Sequence, residues 1–239
     1  VPAPSRVQKL YLQLRRGTEI AATLLIGAVA LPLVALAALV VKLTSRGPAF
    51  YTQTRIGRHG RTFTILKLRT MVDNCESLTG PRWTMPGDPR VTAVGWLLRR
   101  SHLDELPQLW NVLKGDMSLI GPRPERPEFV QELDKHIPGY QRRHAVLPGI
   151  TGLAQVQLPP DTDMDSVRRK LLYDLYFVRH NNPWLDAQIC LATVLHMLGM
   201  PCSLVQKLRL VPGPERVEPE TMPAILPLPA APRLQRRAA

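Results

Sequence analysis

The chain has 239 residues, with 31 Lys and Arg against 19 Asp and Glu, for a formal net charge of +12. That length suits one domain with attachments, and the charge points to an anionic partner: nucleic acid, a membrane surface or a phosphorylated substrate. Cys75, Cys190 and Cys202 are too few and too oddly spaced for a disulfide framework or a metal site, which fits a reducing compartment.

Residues 1–19 form a basic lead-in that carries Arg15 and Arg16. Residues 20–41 are uncharged and strongly apolar; at helical rise they cover about 33 Å, enough to cross a bilayer. Basic residues stand on both flanks, with Lys42 and Arg46 on the far side, so they give no inside–outside asymmetry. Pro32, near the middle, removes a backbone hydrogen bond and bends a helix. A helix that enters, kinks and returns to the same face explains both facts. A single-pass helix with a tolerated proline is the alternative.

Residues 63–68 alternate as a short strand. If that strand runs on to Met71, Lys67 and Arg69 point to one face. A loop is expected at 79–88, which holds Gly80, Pro81, Pro86 and Gly87. Val91, Val94, Leu97 and Leu98 then make an apolar stripe beside Arg99 and Arg100. This is the pattern of a short helix on an anionic bilayer surface, or of a core helix with solvated arginines.

The most informative stretch is 101–124, SHLDELPQLWNVLKGDMSLIGPRP. Asp104 and Glu105 are adjacent and repel. A metal ion, or a division of labour between nucleophile and metal ligand, gives the pair a reason. With Asp104 as helix N-cap, Pro107 falls in the first turn, where its missing N–H is no loss. Leu106, Leu109, Val112 and Leu113 then share one face, and both acids sit at the positive end of the helix dipole. A capping box from Ser101 to Asp104 is the alternative, but it places Pro107 too deep and accounts for one acid only. Gly121-Pro122-Arg123-Pro124 reads as a stiff turn around one guanidinium, with Glu125 or Glu128 as its ordinary partners. Asp116 reads as a cap of 117–119 or as a metal contact.

Residues 127–136 are expected as a helix and 148–156 as a turn followed by a short apolar strand. A second amphipathic helix is expected at 166–180, where Asp174 is either a surface charge or a site residue. Asn182-Pro183 is a cap and first-turn pair for a last helix to about residue 198, packed or interfacial and ended by Gly199 and Pro201. Over 206–239, and most clearly beyond Pro212, proline and alanine leave no periodicity, so a disordered tail is expected. The six histidines are too scattered for a ligand set, and no Gly-x-Gly-x-x-Gly or P-loop pattern occurs, which excludes the familiar nucleotide folds.

The 101–124 stretch and four further blocks resemble the bacterial sugar transferase family, the monotopic phosphoglycosyl transferases. The first block is Ser45-Arg46-Gly47-Pro48-Ala49-Phe50-Tyr51-Thr52-Gln53 with Arg55-Ile56-Gly57. Lys67-Leu68-Arg69-Thr70-Met71 and Asp88-Pro89-Arg90-Val91-Thr92 follow, and Pro148-Gly149-Ile150-Thr151-Gly152-Leu153-Ala154-Gln155-Val156 completes the order. Several ordered blocks over roughly residues 20–200 are far more specific than one short motif.

The resemblance implies an α/β monotopic membrane enzyme with a re-entrant helix at 20–41, amphipathic interfacial helices and a short β element. It places a catalytic domain at 42–205 on the cytoplasmic face of the bacterial inner membrane. It implies transfer of a phosphosugar from a UDP-sugar to undecaprenyl phosphate, the first step of an exopolysaccharide, capsule or O-antigen. The aspartate aligned with Asp104 attacks the sugar-bearing phosphate and expels UMP; the polyprenol phosphate then takes the phosphosugar. Glu105 holds a Mg2+ ion or orients Asp104, with Asp104 as a second candidate ligand. Lys67, Arg69, Arg90 and the turn of Gly121, Pro122, Arg123 and Pro124 bind the substrate. The partners implied are UDP-sugar, polyprenol phosphate and anionic lipid, with a second copy or a glycan-assembly complex as further candidates and no nucleic acid.

Three positions depart from the family. Leu68 and Leu153 stand where relatives often have an aromatic residue and a tryptophan, and Leu31 stands before Pro32 in place of a serine. The Asp104–Glu105 pair is intact, so an active enzyme is expected. The rivals are a basic membrane-anchored module for anionic lipid or nucleic acid, and an inactive scaffold. A UMP-release assay separates all three.

Overall fold

The computed structural model describes residues 6–77, 80, 82, 87–161 and 163–221. Most of the expected loop at 79–88 and residues 222–239 of the expected tail lie outside them.

Helix α1, Arg6–Thr44, takes in most of the basic lead-in and the whole apolar segment, with Pro32 inside it. Its Leu14–Thr44 stretch is, among the described residues, the one helix long and apolar enough to cross a membrane. Leu24, Leu25, Val29, Leu31, Leu36 and Leu43 are exposed on it, an apolar surface too large for a soluble face. Glu19, Thr23, Ala30, Ala37 and Val41 are buried and share one side at helical spacing. Both ends rest on the globular part. Arg15 and Arg16 donate to the carbonyls of Ile120 and Val112 at 2.8 and 2.6 Å, while Ala37 and Val41 pack with Leu68 and Leu98.

Strands β1, Phe50–Ile56, and β2, Thr62–Leu68, form an antiparallel hairpin with Phe50 opposite Leu68 and Ile56 opposite Thr62. Helix α2, Ala93–Arg100, starts at Thr92, whose hydroxyl accepts from the Gly95 N–H. Leu98 buries itself against α1, but Trp96 and Leu97 are 56% and 59% exposed. A 3-10 turn, Leu103–Gln108, then leads into α3, Leu109–Lys114.

Strands β3, Ser118–Ile120, and β4, Gly149–Thr151, pair in parallel. Between them lie α4, Pro127–His136, and a 3-10 turn, Tyr140–Ala145. The strand expected at 148–156 is therefore three residues long, because Leu153–Gln157 forms helix α5. The pairing depends on bare backbone. A Cβ on Gly121 would lie 2.4 Å from the Leu147 carbonyl oxygen, and one on Gly149 would lie 2.1 Å from the Gly121 nitrogen.

Helix α6, Met164–His180, is the hub of the core. Val167, Leu171 and Leu175 pack with Val130 and Leu133 of α4. Leu172, Tyr173, Tyr176 and Phe177 pack with α5 and with α7, Pro183–Met197. The amphipathic helix expected at 166–180 is thus buried on two sides, and its apolar stripe is only one of them. Asp174 is corrected, since it is 2% exposed and paired with Arg143. Asn182 caps α7 as its sequence suggests, accepting from the Trp184 and Leu185 N–H groups.

The expected tail begins too early. Helices α8, Cys202–Lys207, and α9, Pro214–Thr221, fold onto the body, and Val205, Val211 and Val217 are no more than 3% exposed in the α6 core. Each valine sits on a different short segment, so no helical period links them. The folded unit runs past residue 205 to 221.

Candidate active site

The Asp104–Glu105 pair does not cap a helix. His102 takes a left-handed conformation, φ 55°, and the 3-10 turn starts at Leu103, which makes Asp104 its second residue. A 3-10 turn tolerates Pro107 here and leads directly into α3. Asn111 fixes where this segment docks. Its side chain accepts from the Leu66 N–H at 3.0 Å and donates to the Thr64 carbonyl at 2.7 Å, as a neighbouring strand would. That seats the turn on β2 and brings Glu105 against Lys67, next to Leu66. Asn111 is 1% exposed. Asn111→Ala strands two backbone groups and is expected to lower stability by about 2–4 kcal/mol in thermal or denaturant melting.

Glu105 is clamped. Lys67 Nζ donates to its Oε1 at 2.7 Å, and Arg123 donates to Oε1 at 2.5 Å and to Oε2 at 3.3 Å. Burial alone would raise the carboxyl, but Arg123 and Lys67 outweigh it and hold Glu105 well below the usual carboxylate range. The same burial, together with the Arg123 charge, lowers Lys67. The Arg123 side chain is 36% exposed, so its guanidinium faces both Glu105 and the outside.

Asp104 is the opposite case. It is 8% exposed and receives no hydrogen bond among the described residues. Burial and the neighbouring Glu105 charge raise its carboxyl above the ordinary range, against the pull of Lys67, Arg99 and Arg123. The pair is therefore divided: one carboxylate is fixed and neutralised, while the other is free and more basic than a solvated aspartate.

The sequence groups more residues at the site than the structure does. β2 ends at Leu68, and Arg69 turns away to the end of α1. There it donates to the Ser45 and Arg46 carbonyls and the Ser45 hydroxyl, the natural place for a cation at a helix C-terminus. Lys67 and Arg69 thus share no ligand. Arg90 is held by Asp88 through three contacts of 2.6–3.1 Å and makes no bond to the Glu105 cluster. Gly121 serves the strand pairing, and Pro122 and Pro124 are buried backbone supports; of that turn only Arg123 reaches Glu105. Its partner is neither Glu125 nor Glu128. Asp116 lies by Lys114 and Asn111.

Three residues escape the sequence reading. Arg99 reads as a flank charge, yet its Nε donates to Thr70 Oγ1 at 2.8 Å and its charge acts on Asp104. Its place five residues before Asp104 is the only signal. Arg55 bonds the Pro124 carbonyl, a role that its place in Arg55-Ile56-Gly57 does not disclose. Arg143 lies buried behind the turn, and nothing in the run Gln141-Arg142-Arg143-His144 sets it apart.

Among the described residues no group of three or more His, Cys, Asp and Glu could hold a metal ion. Mg2+ needs only one or two carboxylates when phosphates and water complete its shell. Asp104 and the loosely held Oε2 of Glu105 meet that need, so the site fits an ion that arrives with a diphosphate rather than one caged by protein.

A relative from Aeromonas hydrophila, a UDP-N-acetylgalactosamine-undecaprenyl-phosphate N-acetylgalactosaminephosphotransferase, is 43% identical over 189 residues, which are 79% of this chain and 44% of the relative. A UDP-glucose:undecaprenyl-phosphate glucose-1-phosphate transferase from Caulobacter vibrioides is 44% identical over 188 residues, 77% of this chain and 69% of the relative. An Escherichia coli protein of that same name is 40% identical over 185 residues, 76% of this chain and 39% of the relative. The chain thus spans less than half the length of two of these three proteins. Residues 10–200, which include every site residue above, match the family model for bacterial sugar transferases, and the chain belongs to that family.

Proposed function

We propose that this chain transfers a sugar phosphate from a UDP-sugar to undecaprenyl phosphate, the start of a lipid-linked glycan. The single observation that carries the reading is the divided carboxylate pair: Glu105 clamped by Lys67 and Arg123, with Asp104 beside it unbonded and raised. In the first step an Asp104 oxygen forms a bond to the phosphorus that bears the sugar, and the bond from that phosphorus to the UMP oxygen breaks. In the second, a phosphate oxygen of the lipid attacks the same phosphorus and returns the Asp104 carboxylate. Arg123 and Arg99 bind phosphate oxygens and offset the charge as the nucleophile approaches. Lys67 keeps Glu105 in place. Asp104 and Glu105 would hold Mg2+, which would lower the repulsion between the nucleophile and the substrate phosphates. The names of the relatives support UDP-sugar and undecaprenyl phosphate as substrates.

The test is UMP release from purified protein in detergent, with a panel of UDP-sugars and no lipid acceptor. A burst close to one UMP per enzyme supports the covalent route. Release only with acceptor supports direct transfer, and no release with any sugar sinks the reading.

The same reading places the catalytic part on the cytoplasmic face, with α1 re-entering it. A straight helix would separate Arg16 from Val41 by about 37 Å. Yet Arg16 holds Val112, next to the Asn111 that bonds Leu66, while Val41 packs on Leu68 two residues further. Ends tied so close on one body support a bent path through Pro32. Single cysteines at Thr18 and Arg46, in a background without the three native cysteines, are expected to resist a membrane-impermeant thiol reagent in intact cells. Labelling at one of them alone marks a spanning helix.

A further inference from the structure

Pro122 and Pro124 have no N–H, so the Gly-Pro-Arg-Pro turn is held from outside through its carbonyls. Four consecutive carbonyls are each taken by a different donor. Pro122 accepts from the Gly149 N–H at 3.0 Å and Glu125 from the Ile56 N–H at 2.9 Å. Arg123 accepts from the Arg143 guanidinium at 2.9 Å and Pro124 from the Arg55 guanidinium at 3.0 Å. The outer two donors are ordinary strand backbone. The inner two are charged side chains applied to neutral oxygens.

Placing them there is unfavourable unless the charge is balanced, and the structure balances it. The Arg143 side chain is 1% exposed. It donates to Asp174 at 2.9 and 2.7 Å and to the Tyr140 hydroxyl at 2.8 Å. Arg55 donates to Gln53 at 2.6 Å and lies 3.9 Å from Glu125, which Lys170 holds at 2.6 Å. None of these bonds reaches Asp104 or Glu105. Their common effect is on the backbone of Arg123, fixed at its own carbonyl and at the next one, so that its side chain leaves the turn in one direction.

We propose that Arg55 and Arg143 are positioning residues: by holding the Pro124 and Arg123 carbonyls they aim the Arg123 guanidinium at Glu105 and at the substrate phosphate beside it. They touch no substrate and act only through Arg123. The phosphate half of the inference rests on the transferase reading; the Glu105 half does not.

A double-mutant cycle tests the first half. Arg55→Ala is expected to lower kcat/KM by about tenfold, and by less than threefold once Arg123→Ala is already present; Arg55→Lys, which can still reach one carbonyl, restores part of the loss. Arg143→Ala is expected to follow the same pattern, and if it fails to fold the Arg55 cycle decides alone. Equal losses in both backgrounds, or no loss from Arg55→Ala, overturn the proposal. Melting temperatures test the second half without turnover. Positioning makes the losses from Arg55→Ala and Glu105→Gln less than additive, because misaiming Arg123 already weakens its hold on Glu105. Additive losses overturn it. A wild-type enzyme that releases no UMP sinks the transferase reading and leaves the melting cycle to judge the positioning.

Discussion

Asp104→Asn is expected to abolish UMP release while leaving the fold intact or slightly more stable. The amide keeps the shape of the side chain but is no anionic nucleophile. In the wild type the carboxylate is buried beside Glu105 without a hydrogen bond among the described residues. Its raised pKa means that the folded state binds a proton more readily than the unfolded chain does. The ionised group therefore opposes folding at neutral pH, and this opposition fades as pH falls through the folded pKa. An uncharged amide removes it, so melting at pH 7 is expected at or above the wild-type temperature. Intact-mass analysis after incubation with a UDP-sugar should show added phosphosugar on wild type only. The shift also fixes the sign of the pH profile: the acid limb of kcat/KM should lie above the ordinary aspartate range near 3.9. Normal turnover by Asp104→Asn refutes the nucleophile.

Arg123→Ala is expected to reduce kcat/KM by about 2–4 kcal/mol of transition-state stabilisation, on the order of 30- to 1,000-fold. The side chain contributes twice. It neutralises one flank of Glu105, with only Lys67 left when it goes, and its exposed part faces the space where phosphate oxygens must sit. The turn itself should survive, because its carbonyls are held by groups other than the Arg123 side chain. Arg123→Lys should recover little, since an ammonium cannot reproduce the two-oxygen contact with Glu105. Activity within twofold of wild type in Arg123→Ala would reduce Arg123 to a structural clamp on Glu105.

What the chain discloses in one dimension, and what it hides, follows from the range of each interaction. Asn182-Pro183 opens α7 where expected because a cap acts on N–H groups two and three residues away. The adjacent acids and the Pro-flanked arginine are visible because their oddity is local. Arg69 misleads because the strand reading runs three residues past the end of β2. The start of the 101–124 helix misleads because Pro107 permits either an α-helical first turn or a 3-10 turn, and the docking of Asn111 on β2, 45 and 47 residues away, accompanies the second. Asp174 and Arg143 are 31 residues apart and neither points to the other in the sequence; only the packing of α6 against the Tyr140–Ala145 turn brings them together. Propensity and pattern carry no information about such pairings.

The segment after residue 200 bears on how much of this protein a cell would keep. The match to the family stops there, but the core does not: Val205, Val211 and Val217 lie against Tyr173, Tyr176 and Phe177 of the helix that also carries Asp174. Changes in this stretch leave every reacting group in place. Their effect would fall on the fraction of molecules that escape proteases and chaperones, because a small loss of stability alters steady-state abundance several-fold. Selection on residues 201–221 is then selection on protein level, and a loss of the proposed activity that maps there is expected to be rescued by higher expression, whereas one that maps to Asp104 is not.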